Sequence, residues 1–491
     1  MWTKTARPWR RPGAPVREWS ADMSVRSVTS RIDGLPAAAS RVRTWAAAQR
    51  WWLAALFAIA LAWHISSWVS LSQGFLNPLF NDATRRLGQG SDFFAVYHAG
   101  EHFRHNESLY VLKEGAFPPY PFAYSYRYLP SVAYTVGAPL SLLSPWVAYW
   151  TWLAFNELLL AINLVLTWRS SPTPALRWLC CSMWLLFTPL YLEFYMGQFS
   201  FVMASLLFWT GLALATKTPI AGGASWAVSL VVKTNSLVLA PLWLRMRAYR
   251  VVVGGLAFAA LLNVPYFLLK PGSLGHWLDN FSGVFGGAPI DTSAGSFGLR
   301  NFLAAIDVLA EQRGGVVLNV LARIAEPPVW APAIAAVSLV ATFAQRRFDP
   351  VTSFAVWCTT YFLIYTDVWE HHYVMLLPTL VLLVMRRPQF AAIALVTYVL
   401  VALPTPYWLF ERLERDPAEV RSPLWSDPQH AWTALEILVN HLTKVLPTLL
   451  LWAVLVRSSL READWRQLRL WAPAPPAGAA SNRVDAPGDL G

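Results

Sequence analysis

The sequence predicts an all-α protein that crosses a membrane many times. Of its 491 residues, 56% are hydrophobic and 14% are charged, and the mean hydropathy is +0.39. The apolar residues form blocks that reach the length of a membrane-spanning helix, about 20 residues. These blocks carry almost no charge, whereas the strands of a membrane barrel show short segments of alternating polarity. The clearest blocks are residues 51–71, 251–269, 391–409 and 433–456.

The positive charges indicate how the chain is oriented. The formal net charge is +11, and arginines are concentrated before the first apolar block and in short gaps between later blocks. This positive-inside pattern predicts that the N-terminus, these gaps and the C-terminus are cytoplasmic. Membrane lipids, and not nucleic acid, are therefore the expected partners of the basic residues. The arginines of the gaps are Arg245, Arg247, Arg250, Arg346, Arg347, Arg386, Arg387, Arg457 and Arg461.

This orientation divides the chain into a membrane domain and two tails. We predict a disordered basic cytoplasmic tail at residues 1–48, a membrane domain at 49–465, and a disordered cytoplasmic tail at 466–491, which is rich in Pro and Ala. Within the domain, residues 72–128 form a large first external loop, and residues 270–328 form an external loop with a juxtamembrane helix. The expected location is the plasma membrane.

The first half of the membrane domain is predicted to lead outward, inward and outward again. After the first span, residues 92–103 have helical spacing and are expected to lie flat at the membrane interface. Residues 129–168 return to the inside after a short broken helix, because three prolines interrupt the segment. One helix at residues 178–195 then leads outward, and residues 201–215 lead back.

The second half contains an interrupted crossing. The chain between Lys217 and Arg245 is too short for two full spans at about 1.5 Å per residue, so we predict two short helices that meet at residues 233–235. The later elements are spans at 251–269, 329–344 and 351–366, with an amphipathic piece at 302–324. The expected total is about ten to thirteen transmembrane helices.

Six polar residues from separate parts of the chain share the predicted external face. Charged and His side chains are costly near lipid, so their collection at one face indicates a site. The alternative is that each one caps a helix end on its own, and for Asp92 that it is a solvated loop acid. The six are Asp92, Gln198, Lys233, Glu370, His371 and His372.

Short motifs follow one another along the membrane domain. They are Asp92-Phe93, Val96-Tyr97, Ser108-Leu109-Tyr110, Tyr128-Leu129-Pro130, Gly197-Gln198, Lys233 in a Leu-rich helix pair closed by Pro241 and Arg245, Ser296-Phe297-Gly298-Leu299-Arg300, and Trp369-Glu370-His371-His372-Tyr373 followed by Leu377-Pro378. In this order they resemble glycosyltransferase family 87, across residues 50–385. One departure is Ser200, because the family usually has Asn at this position.

The resemblance implies a GT-C fold and the transfer of a sugar from a polyprenyl-phosphate donor to a glycolipid or glycan acceptor on the outer face. The family includes the mannosyltransferases of mycobacterial phosphatidylinositol mannoside synthesis, so a hexose is expected, mannose first, although no residue marks the sugar. No cofactor is expected, because the lipid-linked donor is itself a substrate. No metal is expected, because the adjacent Glu370, His371 and His372 lack the i, i+4 spacing that places two imidazoles on one helix face.

Asp92 is the expected catalytic base. A sugar phosphate needs no general acid to leave, so one carboxylate that accepts the acceptor's proton is enough, and in-line attack would invert the anomeric centre. The leaving phosphate gains charge and is expected to face cations. These are Lys233 first, then Arg127, with Arg300 behind them. The alternative for Lys233 is a snorkelling side chain at a helix end.

Four further residues are expected to bind substrate. Gln198 would hold a sugar hydroxyl or a phosphate oxygen, and Tyr128 would stack on a sugar face. Of His371 and His372, one is expected to face the cleft and the other to pack or to bond a backbone group. The alternatives are polar caps for Gln198 and the histidines, and an interface anchor for Tyr128.

Two other classes of function stay open at this point. A transporter or flippase also gathers polar residues at broken helices, but its site lies near the bilayer midplane and its halves are repeated. The sequence shows no such repeat. A glycan ligase or a non-catalytic assembly protein needs no isolated acid after the first span, so Asp92 disfavours both.

Overall fold

Helices, and no strands, make up the regular secondary structure of the residues that the structure describes. In this computed structural model the described residues are 36–80, 88–110, 126–282, 297–303, 306, 315–316, 320, 327–365, 368–404, 438–439 and 441–461. The described residues beyond position 52 belong to one compact unit. The predicted all-α class is confirmed.

The helices have the following bounds. They are α1 Pro36–Gln73, α2 Ser91–Arg104, α3 Pro130–Val132, α4 Ala138–Leu140, α5 Pro145–Ser170, α6 Pro174–Leu185, α7 Pro189–Met196, α8 Ser200–Ala215, α9 Pro219–Val232, α10 Ala240–Arg245, α11 Tyr249–Leu269, α12 Gly272–Ser282, α13 Pro327–Phe343, α14 Pro350–Ile364, α15 Leu377–Arg386, α16 Pro388–Ala402 and α17 Val445–Arg461. Short 3₁₀ helices occupy Asn77–Leu79, Thr234–Leu239 and Glu370–Met375, and a π-helix occupies Ala133–Gly137.

Three helices in the described part of the chain are long and apolar enough to cross a membrane: residues Trp51–Gln73 of α1, α5 and α11. The helices α6 and α7 add a fourth if they form one bent span. Shorter apolar helices accompany them, namely α8, α9, Trp330–Phe343 of α13, α14 and α16. The polytopic membrane class is confirmed, whereas the total of about ten to thirteen crossings stays a prediction.

Most of the predicted helices occur near the predicted residues, with one error. The single helix predicted at residues 178–195 is wrong, because the chain bends by 45° between α6 and α7. Pro189 at the start of α7 lacks a backbone donor and cannot continue the preceding helix. In addition, α1 begins at Pro36, inside the segment predicted as a tail. The amphipathic piece predicted at 302–324 lies largely outside the described residues.

The helix α2 is packed inside the protein through a very close backbone contact. A Cβ on Gly100 would lie 2.0 Å from the carbonyl carbon of Gly137, which ends the π-helix. A residue with a side chain does not fit at so short a distance, so the two backbones can touch only because positions 100 and 137 are both glycine. Most residues of α2 are buried, and this contact fixes the helix that carries Asp92.

An ion pair joins two of the gaps that are predicted to be cytoplasmic. Asp349 caps α14 by accepting the N–H of Val351 at 3.1 Å. The Arg387 guanidinium donates to both carboxylate oxygens, at 2.5 Å for Nε. Burial raises the pKa of Asp349, but the bonds from Arg387 and Thr352 outweigh it and hold the pKa below its usual value. The charged pair therefore ties the start of α14 to the start of α16.

Candidate active site

The start of α2 is held against the turn that joins α7 to α8. The N–H of Gly90 donates to the carbonyl oxygen of Tyr195 at 2.8 Å. Gly197 ends α7 with a φ of +65°, and a Cβ there would lie 2.5 Å from the Cβ of Phe93. A side chain at position 197 is therefore excluded by both backbone angle and space. Asp92, in the first turn of α2, is thereby placed next to this turn.

A hydrogen-bonded cluster surrounds the buried side chain of Gln198. Its Oε1 accepts from the Tyr128 hydroxyl at 2.9 Å and from the Lys233 ammonium at 3.4 Å. Lys233 also donates to the Ser200 hydroxyl at 2.7 Å, and its Nζ lies 5.7 Å from the ring centre of Tyr128. Burial, and next the Asp92 carboxylate, raise the pKa of Tyr128, so its hydroxyl keeps the proton that it donates. Three of the predicted site residues, Tyr128, Gln198 and Lys233, are thus hydrogen-bonded together, and Asp92 is near enough to act on Tyr128 electrostatically.

Lys233 stands at a break between two helices. Its backbone is extended, with φ −145° and ψ 122°, between α9 and the 3₁₀ helix that follows. The flanking residues are β-branched, a type that disfavours helix. Trp226 Nε1 donates to the Ser236 carbonyl at 2.8 Å, and Asn235 Nδ2 donates to the Tyr361 hydroxyl at 2.9 Å. The backbone around the break is therefore fixed, which favours a binding role for Lys233 over a snorkelling one.

Glu193 belongs to the same cluster, although no motif indicated it. The side chain lies in α7 and the residue is 1% exposed. Its Oε1 accepts the N–H of Phe201 at 2.6 Å, in the first turn of α8, and its carboxylate interacts electrostatically with Lys233 and Asp92. Its Oε2 has no hydrogen-bond partner within the described ranges. The available signal was an acid within an apolar segment, which is costly in a membrane and usually functional.

An open cleft with an empty volume of about 510 Å³ lies beside Lys233. Arg127 is exposed on its wall, so the two cations that were predicted to face a phosphate share one cleft. Trp277 of α12 and Tyr365 after α14 add aromatic surfaces that the motifs did not indicate. The residues that line the cleft are Arg127, Tyr128, Leu129, Val232, Lys233, Thr234, Asn235, Trp277 and Tyr365.

The two adjacent histidines have different surroundings. His372 Nδ1 accepts the N–H of Trp369 at 3.0 Å, which bonds it to the backbone of its own turn. His371 is 2% exposed, and neither of its ring nitrogens has a hydrogen-bond partner among the described residues. Lys233 is close enough to His371 to interact with it electrostatically. His371 is therefore the histidine that can bind a ligand in the cluster.

Arg300 lies in a separate segment. The N–H of Phe297 donates to the Val368 carbonyl at 2.5 Å, and the Tyr373 hydroxyl donates to the Phe297 carbonyl at 3.2 Å. These bonds attach residues 297–303 to the turn that follows α14. Arg300 does not line the cleft, so the predicted phosphate contact has less structural support for Arg300 than for Arg127.

A family comparison decides the class of protein. Residues 127–366 match the family model of Glycosyltransferase family 87. The protein is a membrane glycosyltransferase. The resemblance of its motifs to family 87 is thereby confirmed. The matched residues of this glycosyltransferase include Arg127, Gln198 and Lys233, whereas Asp92 and His371 lie outside the match.

Comparisons of whole chains add little about this glycosyltransferase. No curated protein sequence matches it. Among solved structures, it is similar to the crystal structure of ArnT from Cupriavidus metallidurans in the apo state, at 15% identity and a TM-score of 0.38, over 80% of this chain and 78% of that chain. Because that score is low, the assignment rests on the family match.

Proposed function

We propose that this glycosyltransferase moves a hexose, with mannose as the first candidate, from a polyprenyl-phosphate donor to a glycolipid or glycan acceptor on the outer face of the plasma membrane. The observation that carries the proposal is that an acid and an ammonium are held at the same turn. Asp92 precedes Phe93, which packs against Gly197, and Lys233 is bonded to Ser200 three residues further on. Both Asp92 and Lys233 interact electrostatically with Glu193. A base for the acceptor hydroxyl and a cation for the donor phosphate are the groups that this reaction requires.

In this proposal the donor phosphate binds in the cleft, between Lys233 and Arg127. Both residues line it, and a partly dehydrated cleft strengthens the attraction between a cation and a phosphate. The bonds from Lys233 to Gln198 and Ser200 hold the ammonium in place before the donor binds. Little reorganisation is then needed as negative charge develops on the leaving phosphate.

Asp92 accepts the proton of the acceptor hydroxyl as that oxygen attacks the anomeric carbon. Its position in the first turn of α2 stabilises the carboxylate, because a helix N-terminus carries partial positive charge. Attack on the face opposite to the departing phosphate inverts the anomeric centre. Glu193 is 1% exposed and its Oε1 accepts the N–H of Phe201, whereas Asp92 is only half-buried, so Asp92 is the better placed of the two acids to meet an acceptor hydroxyl.

The sugar is recognised by the polar and aromatic groups around the cleft. The Oε1 of Gln198 is occupied by Tyr128 and Lys233, so its amide nitrogen is the group for a substrate oxygen. The ring nitrogens of His371 supply a further hydrogen bond. Aromatic rings such as Trp277, which lines the cleft, suit the apolar face of a hexose.

The decisive experiment is a transfer assay with purified protein in lipid vesicles. Wild type and Asp92→Asn are incubated with polyprenyl-phosphate mannose and a lipid extract of the cell envelope, and the products are identified by mass spectrometry. Wild type is expected to form a mannosylated product and Asp92→Asn none, because an amide keeps the shape but cannot take the proton.

The matched control is Glu101→Gln, which removes an acid from the same helix, one that pairs with His98 at 3.2 Å. It is expected to retain activity. Wild-type turnover by a folded Asp92→Asn enzyme would refute the assignment of the base. If wild type forms no product from this donor, while a donor with another sugar is used, the choice of mannose is wrong.

A further inference from the structure

Glu370, the residue before His371, forms an ion pair that is almost completely buried. The Lys444 ammonium lies 3.1 Å from the Glu370 carboxylate, and the two side chains are 0% and 1% exposed. Lys444 immediately precedes α17, well beyond the end of the family match at residue 366. The segment 433–456 looked nearly free of charge, so its sequence gave no sign of this contact.

The ammonium of Lys444 has acceptors for all of its hydrogens. Besides Glu370, it donates to the Val401 carbonyl at 2.6 Å and to the Leu403 carbonyl at the end of α16. An ammonium has three donors, and a buried charge is tolerated only when such partners are in place. The carboxylate of Glu370 is therefore held in one position relative to α16 and α17.

Glu370 begins the 3₁₀ helix that carries both histidines. On the other side of His371, His372 is bonded to the N–H of Trp369 at 3.0 Å. The residues before and after His371 are thus both anchored, while its own ring nitrogens have no hydrogen-bond partner in the described segments. The orientation of this ring is set by its neighbours, and a ligand can use its nitrogens without breaking an internal bond.

We propose that Lys444 is a positioning residue, which through its ion pair with Glu370 fixes the orientation in which His371 meets the substrate beside Lys233. The proposal rests on the proposed function for the identity of that substrate. Neither Lys444 nor His371 lines the cleft, but His371 interacts electrostatically with Lys233, which does. The effect of Lys444 on transfer is therefore expected to pass through His371.

The test is a double-mutant cycle. Lys444→Met is made in the wild-type and in the His371→Ala background, and kcat, KM for the donor and the melting temperature are measured for all four proteins. In the wild-type background Lys444→Met is expected to lower kcat at least about tenfold; in the His371→Ala background the further loss is less than about twofold. Equal losses in both backgrounds would overturn the proposal, because a purely structural role is independent of His371.

Two additional proteins separate positioning from stability. Replacing both partners, in Glu370→Met/Lys444→Met, removes the uncompensated buried charge and is expected to restore the melting temperature but not kcat. Full recovery of kcat in this protein would overturn the proposal. If Lys444→Met does not fold, Glu370→Met/Lys444→Met takes its place in the cycle, since it removes the contact without leaving an uncompensated buried charge.

Hydrogen exchange tests the anchoring without any transfer. Backbone exchange at residues 368–376 is expected to be faster in Lys444→Met than in wild type at the same fraction folded, whereas exchange in α11 is unchanged. Unchanged exchange at 368–376 would overturn the proposal. If the wild-type protein transfers no sugar, the proposed function is refuted. The role of Lys444 is still decided by the exchange result, which reports whether Lys444 anchors residues 368–376.

Discussion

Lys233 donates a hydrogen bond of 2.7 Å to the hydroxyl of Ser200, the first residue of α8. Family 87 usually has Asn at this position, so the contact is made here by a shorter side chain with a single hydroxyl. The same ammonium lies 3.4 Å from Gln198 Oε1. The turn between α7 and α8 therefore holds Lys233 through two neighbouring side chains.

Replacing Lys233 by Ala is expected to lower kcat/KM for the donor by roughly 100-fold, because the variant loses the fixed charge that we propose faces the leaving phosphate. Lys233→Arg is expected to recover only part of the loss, since a planar guanidinium does not replace a compact ammonium between Gln198 and Ser200. The measurement is transfer rate against donor concentration. Lys217→Ala, at the exposed end of α8, is the control and is expected to match wild type. An unchanged donor dependence in Lys233→Ala would assign the phosphate to Arg127.

The two substitutions Glu193→Ala and Glu193→Gln are expected to differ. Ala leaves the N–H of Phe201 buried without its acceptor and is expected to cost about 1–3 kcal/mol of stability. Gln keeps an oxygen for this bond and is expected to stay within about 1 kcal/mol of wild type. The check is thermal unfolding in detergent, with donor KM measured in parallel. Equal stability of the Ala and Gln variants would show that the bond to Phe201 does not anchor α8.

Gly100→Ala is expected to destabilise the protein by about 1–3 kcal/mol or more, because the new methyl group meets the backbone of Gly137. Gly254→Ala is the matched control, since it lies within α11 and has nothing within 4 Å of the added Cβ. That change is expected to be neutral or slightly stabilising. Thermal unfolding of both variants measures the difference. If they melt at the same temperature, α2 can move away from the π-helix at little cost.

The orientation of the chain can be tested with two single cysteines. His105 is exposed at the end of α2, and Ser458 lies near the end of α17 beside Arg457. A cysteine at position 105 is expected to react with an impermeant thiol reagent added to intact cells, and one at 458 only after the membrane is opened. The native Cys180, Cys181 and Cys358 are buried, so their background is low. The reverse pattern would overturn the positive-inside assignment.

The sequence indicated the fold class and several residues of the candidate site because these depend on local pattern. Apolar length predicts spans, and the short distance from Lys217 to Arg245 predicted the break at Lys233. Side-chain partners from distant segments were not predictable in this way. The contact between Glu370 and Lys444 depends on how α16, α17 and the turn after α14 pack, which no local pattern records.

The bend between α6 and α7 shows the same limit. Hydropathy averages over both helices and predicts one span, while Pro189 divides it. Glu193 was included in that average of hydropathy, so a single charged residue did not stand out from its apolar neighbours. A search for single ionisable residues inside apolar segments would have found Glu193 and also Lys444.

The hydrogen bond between Gly90 and Tyr195, at 2.8 Å, joins a part of the chain that precedes the family match to a part that lies within it. The family match begins at residue 127, so it contains Lys233 and the cleft lining but not the proposed base. Under the proposed function, donor recognition and proton removal are encoded in separate stretches of sequence. The hydrogen bond from Gly90 to Tyr195 is one of the contacts that bring the two stretches together in the fold.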